Sequence, residues 1–98
     1  MKMTKAYTVV LTSKYHKGYK RMAKRGLNVK ELDDVVFKLS HGEKLDPKYK
    51  DHALKGKLKE YRECHINPDW LLIYGIQDDI LVLTLVDTGS HADLLFGL

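Results

Sequence analysis

The feature that most limits this chain is a change of hydrophobic period partway along it. Up to about residue 41 apolar residues recur every three or four positions, and from Leu58 onward they come in short runs and alternations. The first spacing belongs to helices with one buried face and the second to strands. Tyr15, Tyr19, Met22 and Gly26 form one apolar line, on a helix predicted to start at a Thr12 or Ser13 cap and run to about Arg25, with Gly26 as its stop. A second helix opens on Asn28, with Glu31 completing a capping box, buries Val29, Leu32, Val35, Val36 and Leu39, and ends at His41-Gly42. Residues 43–57, charged and broken by Pro47 and Gly56, read as loop.

Four strands are expected. Residues 6–11 form a short β-branched one; Leu58–Ile66, Asp69–Ile76 and Ile80–Val86 follow one another across turns at Asn67-Pro68 and Gln77-Asp78-Asp79. The last is apolar on both sides and is expected to be central. A helical turn is expected in the tail. The fold class is therefore α+β, a helical hairpin packed on one side of a small, twisted, mainly antiparallel sheet. Neither repeat nor linker divides the chain, and its 98 residues read as a single domain, 1–98.

Charge is unevenly placed. Every charged residue up to Lys30 is basic, so the first thirty residues carry +9 and the remainder −5. Lys14, Lys17, Arg21 and Lys24 line a second face of the first helix, suited to a polyanion, nucleic acid first among them, or to an acidic protein. The single cysteine, Cys64, excludes an internal disulfide and fits a reducing compartment. Apolar runs are too short for a membrane span or a signal peptide, so the expected location is the cytoplasm, where the chain is made.

Of five histidines, His16 and His41 lie on or near helices as surface residues, whereas His52, His65 and His91 fall in a loop, at a strand end and past one. A three-residue turn at 66–68 would set His65 opposite Asp69 on one face of the hairpin, a pair suited to acid–base work. RNA supplies its own 2′-hydroxyl nucleophile, so its cleavage needs a base, an acid and cations for the phosphate. His52, His65, His91 and Asp69 are the candidates for proton transfer, and Arg62, Lys50, Lys55 and Lys57 for the phosphate. The same residues could hold zinc, but no ligand spacing such as H-E-x-x-H or C-x-x-C is present, so neither metal nor cofactor is expected.

Three blocks carry a resemblance: Asp51-His52-Ala53-Leu54-Lys55-Gly56, then Tyr61 to Tyr74 with His65 and Pro68-Asp69-Trp70, then Thr88-Gly89-Ser90-His91-Ala92-Asp93-Leu94. Together they resemble the YafQ branch of the RelE toxins over essentially the whole chain. The resemblance implies a toxin of a bacterial type II toxin–antitoxin system, an endoribonuclease that cuts mRNA in the ribosomal A site without metal and leaves a 2′,3′-cyclic phosphate or its 3′-phosphate product. It implies catalytic roles for His52, His65, Asp69 and His91. The implied partners are a cognate antitoxin, with the toxin monomeric inside the complex, and the ribosome, whose RNA would meet Lys14, Lys17, Arg21 and Lys24. The family's tail has phenylalanine four residues after the last histidine; here Leu95 stands there and Phe96, the candidate RNA contact, follows. The alternative is a ParE-like toxin of the same fold that inhibits DNA gyrase by binding and has no need of the histidine–aspartate set.

Overall fold

A computed structural model describes residues 6–95, apart from the side chain of Leu95. Strand β1 (Thr8–Leu11) runs into helix α1 (Ser13–Lys24), and Thr12 makes the junction. Its backbone N–H donates to the Leu85 carbonyl at 3.1 Å, and its hydroxyl donates to the Val86 carbonyl at 2.6 Å while accepting from the Tyr15 N–H at 3.0 Å. One residue thus ends a strand and caps a helix. Helix α1 stops at Arg25, followed by Gly26 at φ +85°, a conformation that favours glycine. Helix α2 (Val29–Ser40) begins where the Asn28 carboxamide accepts from the Lys30 N–H at 3.1 Å.

The segment expected to be loop holds two 3-10 turns, Pro47–Tyr49 and Gly56–Leu58, and between them the two-residue strand β2 (His52–Ala53). Strands β3 (Arg62–Asn67), β4 (Trp70–Gln77) and β5 (Val82–Gly89) follow, then the five-residue helix α3 (His91–Leu95). The sheet order is β1-β5-β4-β3-β2; β1 lies parallel to β5 and every other pair is antiparallel.

Several expectations shift in detail. The strand expected from Leu58 starts at Arg62, because the Gly56–Leu58 turn occupies its first positions and Leu58 accepts from the Tyr61 N–H at 2.9 Å. The strand expected from Ile80 starts at Val82, after Leu81 in a left-handed conformation, and runs on to Gly89. It is an inner strand, but the middle one is β4.

Both helices pack on one face. Tyr15 and Met22 of α1 and Leu32, Val35 and Leu39 of α2 join Cys64, Ile66, Trp70, Leu72, Tyr74, Leu83 and Leu85 of the sheet in the main core. Tyr19 is half-buried and Gly26 exposed, so the fourth member of the expected apolar line stops the helix without packing. Its place in the interface is taken by Gly18, where an added Cβ would stand 2.2 Å from the Thr88 carbonyl oxygen. Among the described residues, the opposite face has a small cluster of Leu71, Ile73 and Leu94, flanked by Leu54, Tyr61 and Val86. No helix among the described residues is long and apolar enough to cross a membrane.

Candidate active site

Strand alternation divides the labour of β3. Cys64 and Ile66 point into the main core, so Glu63 and His65 point to the opposite face, at the edge where β2 pairs. Register sets His52 of β2 opposite Glu63. A single carboxylate oxygen, Glu63 Oε1, then lies 3.6 Å from His52 Nε2 and 3.7 Å from His65 Nε2. The two imidazole centroids are 6.3 Å apart, and that of His91 lies 5.8 Å beyond His65, so three rings form a row.

The outer rings are fixed at their inner nitrogens. His52 Nδ1 lies 2.7 Å from the Lys50 carbonyl, an acceptor, so Nδ1 carries the proton and Nε2 faces Glu63. Lys50 itself is held at φ 50°, a left-handed conformation uncommon outside glycine. His91, the first residue of α3, engages Asp69 twice: its backbone N–H donates to Oδ1 at 3.0 Å and its Nδ1 donates to the same oxygen at 2.7 Å. These two bonds from His91 hold the Asp69 carboxyl below the usual carboxylate range. Among the described residues, His91 Nε2 has no hydrogen-bond partner.

The expected pairing of His65 with Asp69 does not form. The hairpin turns on Pro68 and Asp69, with Asn67 opposite Trp70 and an irregularity between His65 and Asn67, so His65 faces Leu71 across the ladder. The Asn67 carboxamide accepts from the Asp69 N–H at 3.0 Å and sends the carboxylate out of the turn toward α3. Asp69 therefore serves His91, and Glu63 serves His65.

A groove of about 240 Å³ is lined by Lys48, Lys50, His65, Asn67, Pro68 and His91. It brings together two of the predicted histidines and one predicted phosphate lysine, Lys50, with Lys48 beside it. Lys55 and Lys57 are exposed at the second 3-10 turn, outside that lining. Arg62 also lies outside that lining. It shares the face of Cys64, opposite His65, with its guanidinium on Asp51 (Nε and Nη2, each at 3.3 Å), and the Tyr74 hydroxyl donates to the same carboxylate at 2.6 Å. This cluster ties the residue before His52 to the two neighbouring strands. Phe96 lies outside the described residues.

Two carboxylates went unread in the sequence. Glu63 was detectable, since residues two apart on a strand share a face and Glu63-Cys64-His65 has that spacing. Asp93 was detectable as the fourth residue of a Ser90-x-x-Asp93 capping box, but its pairing with Arg25 left no local signal. Its Oδ2 accepts from Arg25 Nη1 at 2.7 Å and from the Ser90 N–H at 2.9 Å, its Oδ1 from Arg25 Nη2 at 3.0 Å. The Arg25 guanidinium holds the Asp93 carboxyl far below its usual range. Lys14, Lys17, Arg21 and Lys24 are all exposed on α1, as the charge pattern predicts, and Arg21 also lies 3.8 Å from Asp93.

Comparison with known proteins gives one consistent picture. Residues 7–96 match a family described as the bacterial toxin of a type II toxin–antitoxin system, YafQ. The mRNA interferase toxin YafQ of Escherichia coli K12 is 38% identical over 87 residues, 88% of this chain and 91% of that protein. Among solved structures, a metal-bound toxin from Helicobacter pylori is 45% identical with a TM-score of 0.84, covering 90% of this chain and 98% of that one. The toxin in the E. coli DinJ–YafQ toxin–antitoxin complex is 35% identical with a TM-score of 0.83, covering 90% and 96%.

Proposed function

Because the chain belongs to the YafQ family of type II toxin–antitoxin toxins, we propose that it is an endoribonuclease that cuts ribosome-bound mRNA in the A site by proton transfer among its histidines. The observation that carries this reading is the groove in which His65 and His91 meet Lys48 and Lys50. Each ring there has its own carboxylate, Glu63 or Asp69.

Those placements support the following reaction. His65, coupled through Glu63 to His52, takes the proton from the 2′-hydroxyl, and the freed oxygen forms a bond to phosphorus. The P–O5′ bond breaks, and His91 Nε2–H protonates the leaving oxygen, giving a 2′,3′-cyclic phosphate and a 5′-hydroxyl. Asp69 holds Nδ1 of the His91 ring, which orients Nε2 for donation. Lys50 and Lys48 offset charge that builds on the phosphate. In this scheme Asp69 works with the acid, and Arg62 contributes by anchoring Asp51. Lys55 and Lys57 extend the cationic path away from the groove.

Partners follow in the same way. Lys14, Lys17, Arg21 and Lys24 dock on ribosomal RNA phosphates, which requires a steep fall of affinity with salt. A cognate antitoxin holds one toxin monomer inactive in the cytoplasm, as the DinJ–YafQ complex of E. coli suggests by similarity.

The test is cleavage of mRNA on crosslinked ribosome complexes, with ends mapped by primer extension, for the wild type and His91→Ala, each with and without chelator. Codon-phased cuts that survive chelation and vanish in the variant are expected. The metal-bound Helicobacter relative gives the chelator arm its weight. Cuts lost on chelation and restored by a metal ion would replace proton transfer by metal-assisted cleavage. Growth inhibition that His91→Ala leaves intact, with no cuts, would point to a gyrase-binding toxin.

A further inference from the structure

We infer that Arg25 and Asp93 are positioning residues for His91, so that the end of the basic helix α1 sets the seating of the histidine in the groove. The inference deepens the proposed reaction and rests on His91 taking part in it.

His91 opens a helix of five residues, and a single turn cannot hold itself in water. What keeps it in place is therefore what touches it. On the sheet side, Leu94 is buried against Leu71 and Ile73. On the outer side, Asp93 uses both carboxylate oxygens. It closes a reciprocal box with Ser90, accepting from the Ser90 N–H at 2.9 Å while the Ser90 hydroxyl accepts from the Asp93 N–H at 3.2 Å. It also takes the bidentate fork of Arg25. The fit is close: a Cβ at Gly89 would stand 2.8 Å from that of Asp93, so a side chain there would push the carboxylate away.

The box spans residues 90–93 and therefore contains His91. Both bonds from His91 to Asp69 depend on where the backbone of Ser90 and His91 sits, since one of them is donated by the His91 backbone N–H. Asp69 is the more exposed partner, on a turn, and cannot supply that placement alone. Arg25 can, because it caps the C-terminal end of α1, whose inner face is packed on the sheet through Gly18 and Met22. Exposed ion pairs add little to folding stability, so losing this one should register in the reaction and scarcely in the melting temperature.

The experiment compares wild type, Arg25→Ala, Arg25→Gln, Arg25→Lys and, as a control for lost charge, Lys20→Ala. Single-turnover cleavage on ribosome–mRNA complexes gives the maximal rate and the half-saturating toxin concentration separately. In the free proteins, NMR follows the His91 ring through its contact with His65 and its Nδ1–H bond to Asp69. Arg25→Ala and Arg25→Gln should lower the maximal rate about ten- to a hundredfold, with half-saturation moved no further than by Lys20→Ala. Arg25→Lys should recover part of the rate, and Lys20→Ala should keep all of it. The His91–Asp69 signal should weaken with the rate. A wild-type maximal rate in both Arg25→Ala and Arg25→Gln would overturn the inference, as would an undisturbed His91 ring. Should the wild type itself not cleave, the proposed reaction falls, and the NMR comparison still decides whether Arg25 seats His91.

Discussion

The two faces of the sheet differ in kind although the same strands build both. Along β3, Cys64 and Ile66 enter a core with Trp70, Leu72 and Tyr74 on one side, while Glu63 and His65 stand on the other beside His52 and His91. One face has two helices laid over it, and the other has a five-residue helix and a small apolar cluster. Stability is concentrated on the first, and the proposed chemistry lies on the second. Changes on one face should therefore leave the other's property nearly untouched.

The strongest way to break that division is to cut deeply into each face. Leu72→Ala removes a fully buried side chain from the middle strand and should cost roughly 2–5 kcal/mol. At about 4–8 °C of Tm per kcal/mol for a chain of this size, a thermal melt will show it plainly. Folded Leu72→Ala protein, assayed well below its Tm, should still cleave at a rate near wild type. His91→Ala should do the reverse, losing about 10²–10⁴ in cleavage rate with its melt within a few degrees of wild type. A His91→Ala melt as low as that of Leu72→Ala would mean that the site holds the fold together, and the division would be wrong.

Gly18→Ala probes the seam where α1 meets the sheet, and its sign is diagnostic. In an open helix the change would stabilise by about 0.5–1 kcal/mol. Here the new methyl group meets the Thr88 carbonyl, a backbone atom that cannot swing away, so a loss of roughly 1–3 kcal/mol is expected by denaturant titration. Thr88 also accepts from the Trp70 indole N–H at 2.9 Å and donates to the Leu71 carbonyl at 2.7 Å. A displaced Thr88 therefore disturbs the main core first. A stabilised Gly18→Ala would show that α1 rides loosely on β5.

The sequence made the covered face more legible than the open one, for a physical reason. Helix starts at Thr12 and Asn28 and the stripes of α2 and β4 are periodic features many residues long, and a periodic signal survives an error of one position. The open face depends on single positions. Whether Asp69 meets His65 or His91 is decided by one irregular step between His65 and Asn67, and a step of one residue reverses every side chain's face. His52 lies on a strand of two residues inside a charged segment, too short for alternation to appear. The Arg25–Asp93 pair joins residues 68 apart and leaves no local trace. The motif blocks nonetheless drew attention to the three histidines that the fold sets in a row.

The finest test of the two faces uses neighbours one residue apart. Cys64 is wholly buried, and burial pushes its thiol up to about 12 from an ordinary value of 9.0. His65, next along β3, is partly open to solvent. At about pH 8, where a free cysteine is already partly thiolate, iodoacetamide should leave native Cys64 unmodified, and diethyl pyrocarbonate should reach the histidines. Unfolding in denaturant should make the thiol react at once. The raised value also fixes a sign for stability. Below about pH 9 both states hold the proton and the thiol contributes no pH dependence. Between about 9 and 12 the unfolded chain releases it while the folded chain retains it, so stability falls as pH rises. Cys64→Ala should make that part of the alkaline profile less steep at a small cost in Tm, the buried Tyr15 and Tyr74 hydroxyls, also raised by burial, supplying the remaining slope. Rapid alkylation of native Cys64 would mean that β3 opens toward its covered face, and the barrier between core and site would then be a matter of dynamics as well as of alternation.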